Sequence, residues 1–241
     1  MVQQSRVAGT IFESVCHLRV FRDRLFGDSY FFSSAAVYRG RYLLTAAHNV
    51  ASNSTSGVRT IDASCGTAEF TVAGIDFPAL GRDAVWVPAR YSMTRRLPRR
   101  HCTDIAVVRL PQPLTSEQRF ALAAYRSDGM VTVAGYPGGY RGAPEAMDAN
   151  HLFAGSAASR AENAYLVNYD VLTSTGVSGG PVWEVRDGQP TIVAVHVGGT
   201  DRTARGRVIT EPLRAEIDAV IDAWEAGTPA ARLPAGNIDC G

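Results

Sequence analysis

Long apolar runs are missing from this 241-residue chain. No stretch approaches the ~18 consecutive apolar residues of a membrane-crossing helix, so no membrane partner is expected. A charge imbalance is missing too. The net charge is +1, with 20% charged and 46% hydrophobic residues, which fits a soluble globular chain and implies no nucleic-acid partner. Cysteines are few, at positions 16, 65, 102 and 240, and none forms the Cys-x-x-Cys pair of common zinc and redox sites. His17, His101 and His151 are scattered, and no His-Glu-x-x-His pattern occurs, so no catalytic metal and no cofactor are expected. A structural calcium is left open. The opening Met-Val-Gln-Gln-Ser-Arg lacks the apolar core of a signal peptide. Four cysteines admit three pairings, of which Cys65–Cys102 with Cys16–Cys240 is expected, because the second bridge would tie the chain ends. Two bridges suit a secreted or periplasmic protein; four reduced thiols in a cytosolic one is the alternative.

The chain is rich instead in short apolar or alternating runs broken by Gly, Pro, Asn and Asp. Residues 14–20, 30–38, 42–47, 69–75, 105–110, 130–134, 165–169, 181–185, 191–197 and 206–210 read as strands. Tyr38-Arg-Gly-Arg-Tyr42 and Asp187-Gly188 read as hairpin turns. One long helical pattern appears, with Leu213, Ile217, Val220, Ile221 and Trp224 on one face, Pro212 in the first turn and Gly227 at the end. Many short strands and a terminal helix argue for an all-β barrel or sandwich protein. The division is expected near Pro111-Gln112-Pro113, giving halves 1–112 and 113–241.

Gly176-Val177-Ser178-Gly179-Gly180-Pro181 carries the chemistry. It sets one serine among three glycines, so a substrate carbonyl and main-chain N–H donors can all reach it. A serine hydroxyl needs a base, and the base needs an orienting group. His48, after Leu44-Thr45-Ala46-Ala47, and Asp104, before Ile105-Ala106-Val107-Val108, are the candidates. Ser178 would attack a carbonyl, His48 would move the proton and Asp104 would hold the imidazole. The N–H groups of Gly176 and Ser178 would bind the oxyanion.

With these motifs the chain resembles the chymotrypsin-like serine proteases, and most of all the bacterial glutamyl endopeptidase branch. Residues 168–178, Ile192-Val193-Ala194-Val195-His196-Val197-Gly198-Gly199, Val131-Thr132-Val133-Ala134-Gly135-Tyr136-Pro137-Gly138 and the terminal helix carry that likeness. The resemblance implies two antiparallel six-stranded β-barrels with a C-terminal helix and a cleft between them. It also implies a peptide or protein substrate and a monomeric serine endopeptidase. Leu172, six before the serine, removes the aspartate of trypsin-type specificity. Thr173 and His196 match the positions at which the glutamyl branch recognises a carboxylate, with Gly198 beside them. A hydroxyl and an imidazolium there would favour Glu or Asp before the scissile bond. A small or apolar preference is the alternative. Arg6-Val7 offers a possible processing point, but Val177 leaves no Asp to receive a new amine as in pancreatic enzymes.

Other readings compete. Gly176-Val177-Ser178-Gly179-Gly180 also fits the Gly-x-Ser-x-Gly elbow of α/β-hydrolases, yet that fold needs a helix after the serine and a different order of acid and base. A scaffold that only binds a partner is a further alternative. The basic stretch from Arg95 to His101 reads as a solvated loop without aromatic interleaving. The glycine-rich run 135–142 lacks the Gly-Lys-Ser/Thr of a phosphate loop and reads as a bend.

Overall fold

The computed structural model describes residues 1–4, 9–21, 30–51, 59–66, 75–91, 99–114, 119–126, 128–138, 151–199, 203–229 and 233. The strand expected at 69–75 lies outside them apart from its last residue. Arg6-Val7, the start of the basic stretch before His101, residues 139–142 and Cys240 lie outside them too.

Strand β1 (Val2–Gln3) is followed by β2 (Val15–Phe21), β3 (Tyr30–Tyr38), β4 (Tyr42–Thr45), β5 (Ile61–Cys65), β6 (Ile75–Leu80), β7 (Val85–Trp86) and β8 (Ala106–Arg109). Two short helices interrupt this run, α1 (Ala47–Val50) after β4 and α2 (Arg99–Cys102) before β8. Strands β2 to β8 form one sheet in the order β6-β5-β2-β3-β4-β8-β7. Among the described residues it curls without closing. The reason lies at its edges. Strand β7 has two residues, and β6 carries Pro78, which has no N–H to give a neighbour. Residues 78 and 79 bulge opposite Asp62, since Ile61 faces Leu80 and Ala63 faces Phe77.

The second sheet contains β9 (Ala121–Leu122), β10 (Met130–Gly135), β11 (Phe153–Asn163), β12 (Leu166–Tyr169), β13 (Pro181–Arg186), β14 (Gln189–Gly199) and β15 (Ala204–Val208). Six of these close into a ring, β11-β10-β13-β14-β15-β12, because β12 pairs with both β15 and β11. The architecture expected from the sequence is thus present, as one closed six-stranded barrel and one curled half-barrel. Strand β1 joins the second sheet along β11, with Val2 opposite Ala154.

Both expected hairpins form. Arg39 and Gly40 take positive φ between β3 and β4, and Asp187 and Gly188 do so between β13 and β14, the backbone that tight hairpins need. Helix α3 (Glu211–Glu225) also follows its sequence pattern. The Thr210 hydroxyl caps it by accepting the Leu213 N–H. All five apolar positions of its predicted face are buried. Each such side chain contributes about 1.5–3 kcal/mol relative to exposure. The helix packs back on the first sheet. Trp224 stacks on Tyr42 with ring centroids 6.0 Å apart, and the Tyr38 hydroxyl donates to Asp218. Three large apolar clusters result: one inside each sheet, and one between the sheets and under α3.

The expected disulfides do not form. Cys16 is bonded to Cys65 instead. The two sit directly opposite each other on neighbouring strands β2 and β5, with Cα atoms 4.2 Å apart, so strand register decides the pairing. Sequence spacing carried no sign of that register. Cys102 is also disulfide-bonded. Among the described residues no helix is long and apolar enough to cross a membrane.

Candidate active site

Strand pairing brings His48 to Asp104. Strand β4 runs into helix α1, which carries His48. Asp104 stands between α2 and β8. Because β4 pairs with β8, Thr45 opposite Ala106, the two segments leave the sheet side by side. Both carboxylate oxygens are used. Oδ1 accepts the His48 main-chain N–H at 2.9 Å, and Oδ2 lies 2.8 Å from His48 Nδ1. A carboxylate on Nδ1 holds the proton there and leaves Nε2 as the basic nitrogen.

Asp104 is fully buried. Burial pushes its carboxyl up, but the positive potential of His48, the approach of His101 and the His48 hydrogen bonds outweigh it. The carboxyl is therefore held below the usual carboxylate range and is ionised at neutral pH. His101 Nδ1 stands 3.8 Å from Oδ2, outside hydrogen-bond range. Arg207, on β15, is buried as well. Its Nε donates to the Cys102 carbonyl at 2.5 Å and its Nη1 to the Val208 carbonyl. Burial lowers its pKa to about 10, opposed by the negative charge of Asp104. Arg207 thus ties β15 to the segment just before Asp104.

Ser178 is half-buried on the loop between β12 and β13. Its carbonyl accepts two hydrogen bonds from the first half, from the Ser34 N–H at 2.9 Å and from Asn49 Nδ2 at 2.9 Å. Asn49 adjoins His48 on α1, so this bond ties the Ser178 loop to that helix. On the other side, Gly179 N–H donates to the His196 carbonyl at 2.7 Å and His196 N–H donates to the Gly180 carbonyl at 2.9 Å. Gly176 and Gly179 have φ of 100° and 89°. A Cβ at Gly176 would stand 2.1 Å from Gly138 N, and one at Gly179 would stand 2.1 Å from the Ser34 carbonyl. Only glycine fits either position.

The main-chain donors of this loop divide into two sets. Val177, Gly179 and Gly180 N–H groups all have acceptors. Among the described residues, the N–H groups of Gly176 and Ser178 have none. These are the two that the sequence assigns to an oxyanion.

His196 differs from its expectation. It is 1% exposed, and Tyr169 Oη lies 2.6 Å from its Nδ1. Burial, and then the positive charge of His48, lower its pKa to about 3. The imidazolium expected from the sequence is therefore a neutral ring. Tyr169 is buried, which pushes its phenol well up, so Tyr169 keeps its proton, and which of the two atoms donates is set by the His196 tautomer. Thr173 is half-buried and Leu172 exposed, and no hydrogen bond joins Thr173 to His196 among the described residues. Gly198 sits at a bulge of β14, with φ 143° and open space where a side chain would be. Among the described residues no group of three metal-ligating side chains is found. All 24 basic Lys or Arg side chains are arginine, so a lysine base for Ser178 does not exist. Sequence reading missed Ser34, Asn49, Tyr169 and Arg207. Asn49 alone carried a signal, its position next to His48.

The family model of the trypsin-like peptidase domain matches residues 32–195. The chain belongs to this family. No curated protein matches it in sequence. Among solved structures this trypsin-like peptidase domain is similar to a Glu endopeptidase, with TM-score 0.68 and 16% identity over 90% of this chain and 94% of that one. It is also similar to the scabies mite inactivated protease paralogue S-I1, with TM-score 0.66 and 17% identity over 87% and 95% of the two chains. A third is the thermostable serine protease AL20 from an extremophilic microorganism, with TM-score 0.61 and 14% identity over 82% and 91%. At these identities the likeness is one of fold.

Proposed function

We propose that this chain is a serine endopeptidase acting through His48, Asp104 and Ser178. The observation that carries the reading is the conjunction of a His48–Asp104 pair with a serine loop whose two unused N–H groups flank Val177. In the reaction, Ser178 Oγ forms a bond to the substrate carbonyl carbon as His48 Nε2 takes its proton. The carbonyl π pair moves to oxygen, where the Gly176 and Ser178 N–H groups would hold it. The intermediate collapses, the C–N bond breaks, and His48 returns the proton to the leaving amine. Water then cleaves the acyl-enzyme by the same route in reverse.

For specificity the proposal is Glu or Asp before the scissile bond, recognised by Thr173 and His196 beside Gly198. In the proposed tautomer the Tyr169 hydroxyl is the donor to Nδ1, so His196 would carry its proton on Nε2 and meet a carboxylate as a neutral donor. One of the structural relatives is an inactivated protease paralogue, so fold alone does not establish activity. The Cys16–Cys65 bridge supports an oxidising compartment, secreted or periplasmic. A fluorophosphonate probe tests the chemistry: it should label the folded protein and fail on Ser178→Ala. Absence of labelling would leave a binding scaffold. Cleavage-site profiling on a peptide library tests the rest, and equal cutting after Glu, Leu and Ala would remove the carboxylate preference.

A further inference from the structure

We propose that Ser34 is a positioning residue that sets the geometry of the two oxyanion-binding N–H groups. The inference rests on the reading of Ser178 as the nucleophile. Ser34 lies on β3 in the first half and is fully buried. Its hydroxyl donates to the Gly176 carbonyl at 2.7 Å and accepts the Tyr136 N–H at 2.8 Å. Its own N–H donates to the Ser178 carbonyl, and its carbonyl accepts the Thr45 hydroxyl at 2.8 Å. Every polar group of this residue is engaged, and two of the contacts are on the nucleophile loop.

The peptide planes explain the consequence. A trans peptide points its C=O and N–H in opposite directions, so pinning one aims the other. The Gly176 N–H shares a plane with the Thr175 carbonyl, which accepts the Gly138 N–H at 2.5 Å. The Ser178 N–H shares a plane with the Val177 carbonyl, which accepts the Gly180 N–H at 2.9 Å. Between these two planes lies the Gly176–Val177 peptide. Ser34 Oγ holds its carbonyl, and its N–H donates to the Ser174 carbonyl at 3.2 Å. The clamp on this middle plane fixes the angle between the two donors.

The glycine-rich bend after β10 belongs to the same frame. A Cβ at Gly135 would stand 2.7 Å from Ser34 Oγ and 3.1 Å from Val177. Tyr136 supplies the N–H that the Ser34 hydroxyl accepts, and Gly138 supplies the one that aims the Gly176 plane. The run Gly135-Tyr136-Pro137-Gly138 is thereby the second jaw, with Ser34 the first.

The test compares wild type, Ser34→Ala and Ser34→Thr on a peptide substrate, with a peptide aldehyde as an oxyanion-forming inhibitor. Ser34→Ala should lower kcat roughly 10- to 100-fold, less than the 10²–10³ of losing a donor outright, with KM within about threefold. Aldehyde affinity should fall in parallel with kcat/KM, while binding of the cleaved product peptide stays unchanged. Ser34→Thr keeps the hydroxyl and should recover most of the loss. A Ser34→Ala enzyme within about twofold of wild type in kcat, or one whose loss lies in KM, overturns the proposal. If Ser34→Ala does not fold, Ser34→Cys, of similar shape and weaker donor strength, is read the same way, and wild-type kcat overturns the proposal. A wild type that takes no fluorophosphonate label overturns the enzymatic reading itself, and this proposal falls with it.

Discussion

Each half of the molecule holds one histidine at the Ser178 loop, and the two are held in opposite ways. In the first half, His48 keeps a fifth of its side chain exposed and faces an ionised carboxylate. In the second, His196 is buried on β14 and its Nδ1 faces a phenol that keeps its proton. The carboxylate accepts from both the main-chain N–H and the Nδ1 of His48, which fixes the ring's orientation. A protonated phenol carries no charge to favour an imidazolium, and burial, then the charge of His48, hold His196 neutral at a pKa of about 3. The same side chain is part-exposed against a carboxylate in one half and buried against a phenol in the other.

Replacing the carboxylate breaks this contrast most severely. Asp104→Asn presents an amide to His48 Nδ1 and reverses the tautomer. A fall in kcat of about 10⁴ is expected, with the fold intact by circular dichroism. A loss of less than about tenfold would remove Asp104 from its role.

The halves also differ in how their sheets are secured. The closed barrel has no free edge in its ring, whereas the half-barrel is open and stapled by Cys16–Cys65. The bridge spans 49 residues, and chain entropy gives it about 4 kcal/mol. The double variant Cys16→Ser, Cys65→Ser should lose about that much stability in urea. Hydrogen exchange should rise in β2 and β5 before β13 and β14. Uniform loosening of both sheets would contradict the division.

The third comparison concerns recognition. Tyr169→Phe removes the hydroxyl partner of His196 Nδ1 and frees the tautomer. Selectivity for Glu over Gln before the scissile bond should fall about tenfold, with cleavage after an apolar residue little changed. Equal losses on all substrates would make the pair structural.

Much of this was legible from the residues and some was not. Hairpins at Arg39-Gly40 and Asp187-Gly188 and the face of α3 are local signals, and they form where the pattern puts them. The Ser178 loop was legible because three close approaches there admit only glycine. Strand β11 left no such trace. Its Phe153–Asn163 sequence is mostly Ala, Ser and Gly, and it becomes a strand because pairing to β10 and β12 closes the barrel. The disulfide pairing failed for the same reason, since register between β2 and β5 is tertiary information. Ser34 and Arg207 act across more than a hundred residues, on Gly176 and on Cys102, and no local pattern could show that.

The smallest expected effect uses a second buried histidine, at the seam between the halves. His17 lies between the rings of Phe32 and Tyr136, at centroid distances of 4.6 and 4.8 Å. Burial, and then the charge of Arg19, lower its pKa from 6.5 to about 3. The unfolded chain therefore binds a proton at His17 in a range where the folded chain does not. Its contribution to stability is fully present above pH 6.5 and is lost as the pH falls from 6.5 towards 3. His196 adds to the same loss over the same window. His17→Phe removes the titrating group and keeps an aromatic ring between its neighbours. Its acid-unfolding midpoint should move down by about half a pH unit, followed by Trp fluorescence, while stability at pH 8 changes less. A midpoint that stays with wild type would assign the acid sensitivity to His196 and the carboxylates, and would leave the seam between the halves insensitive to protons.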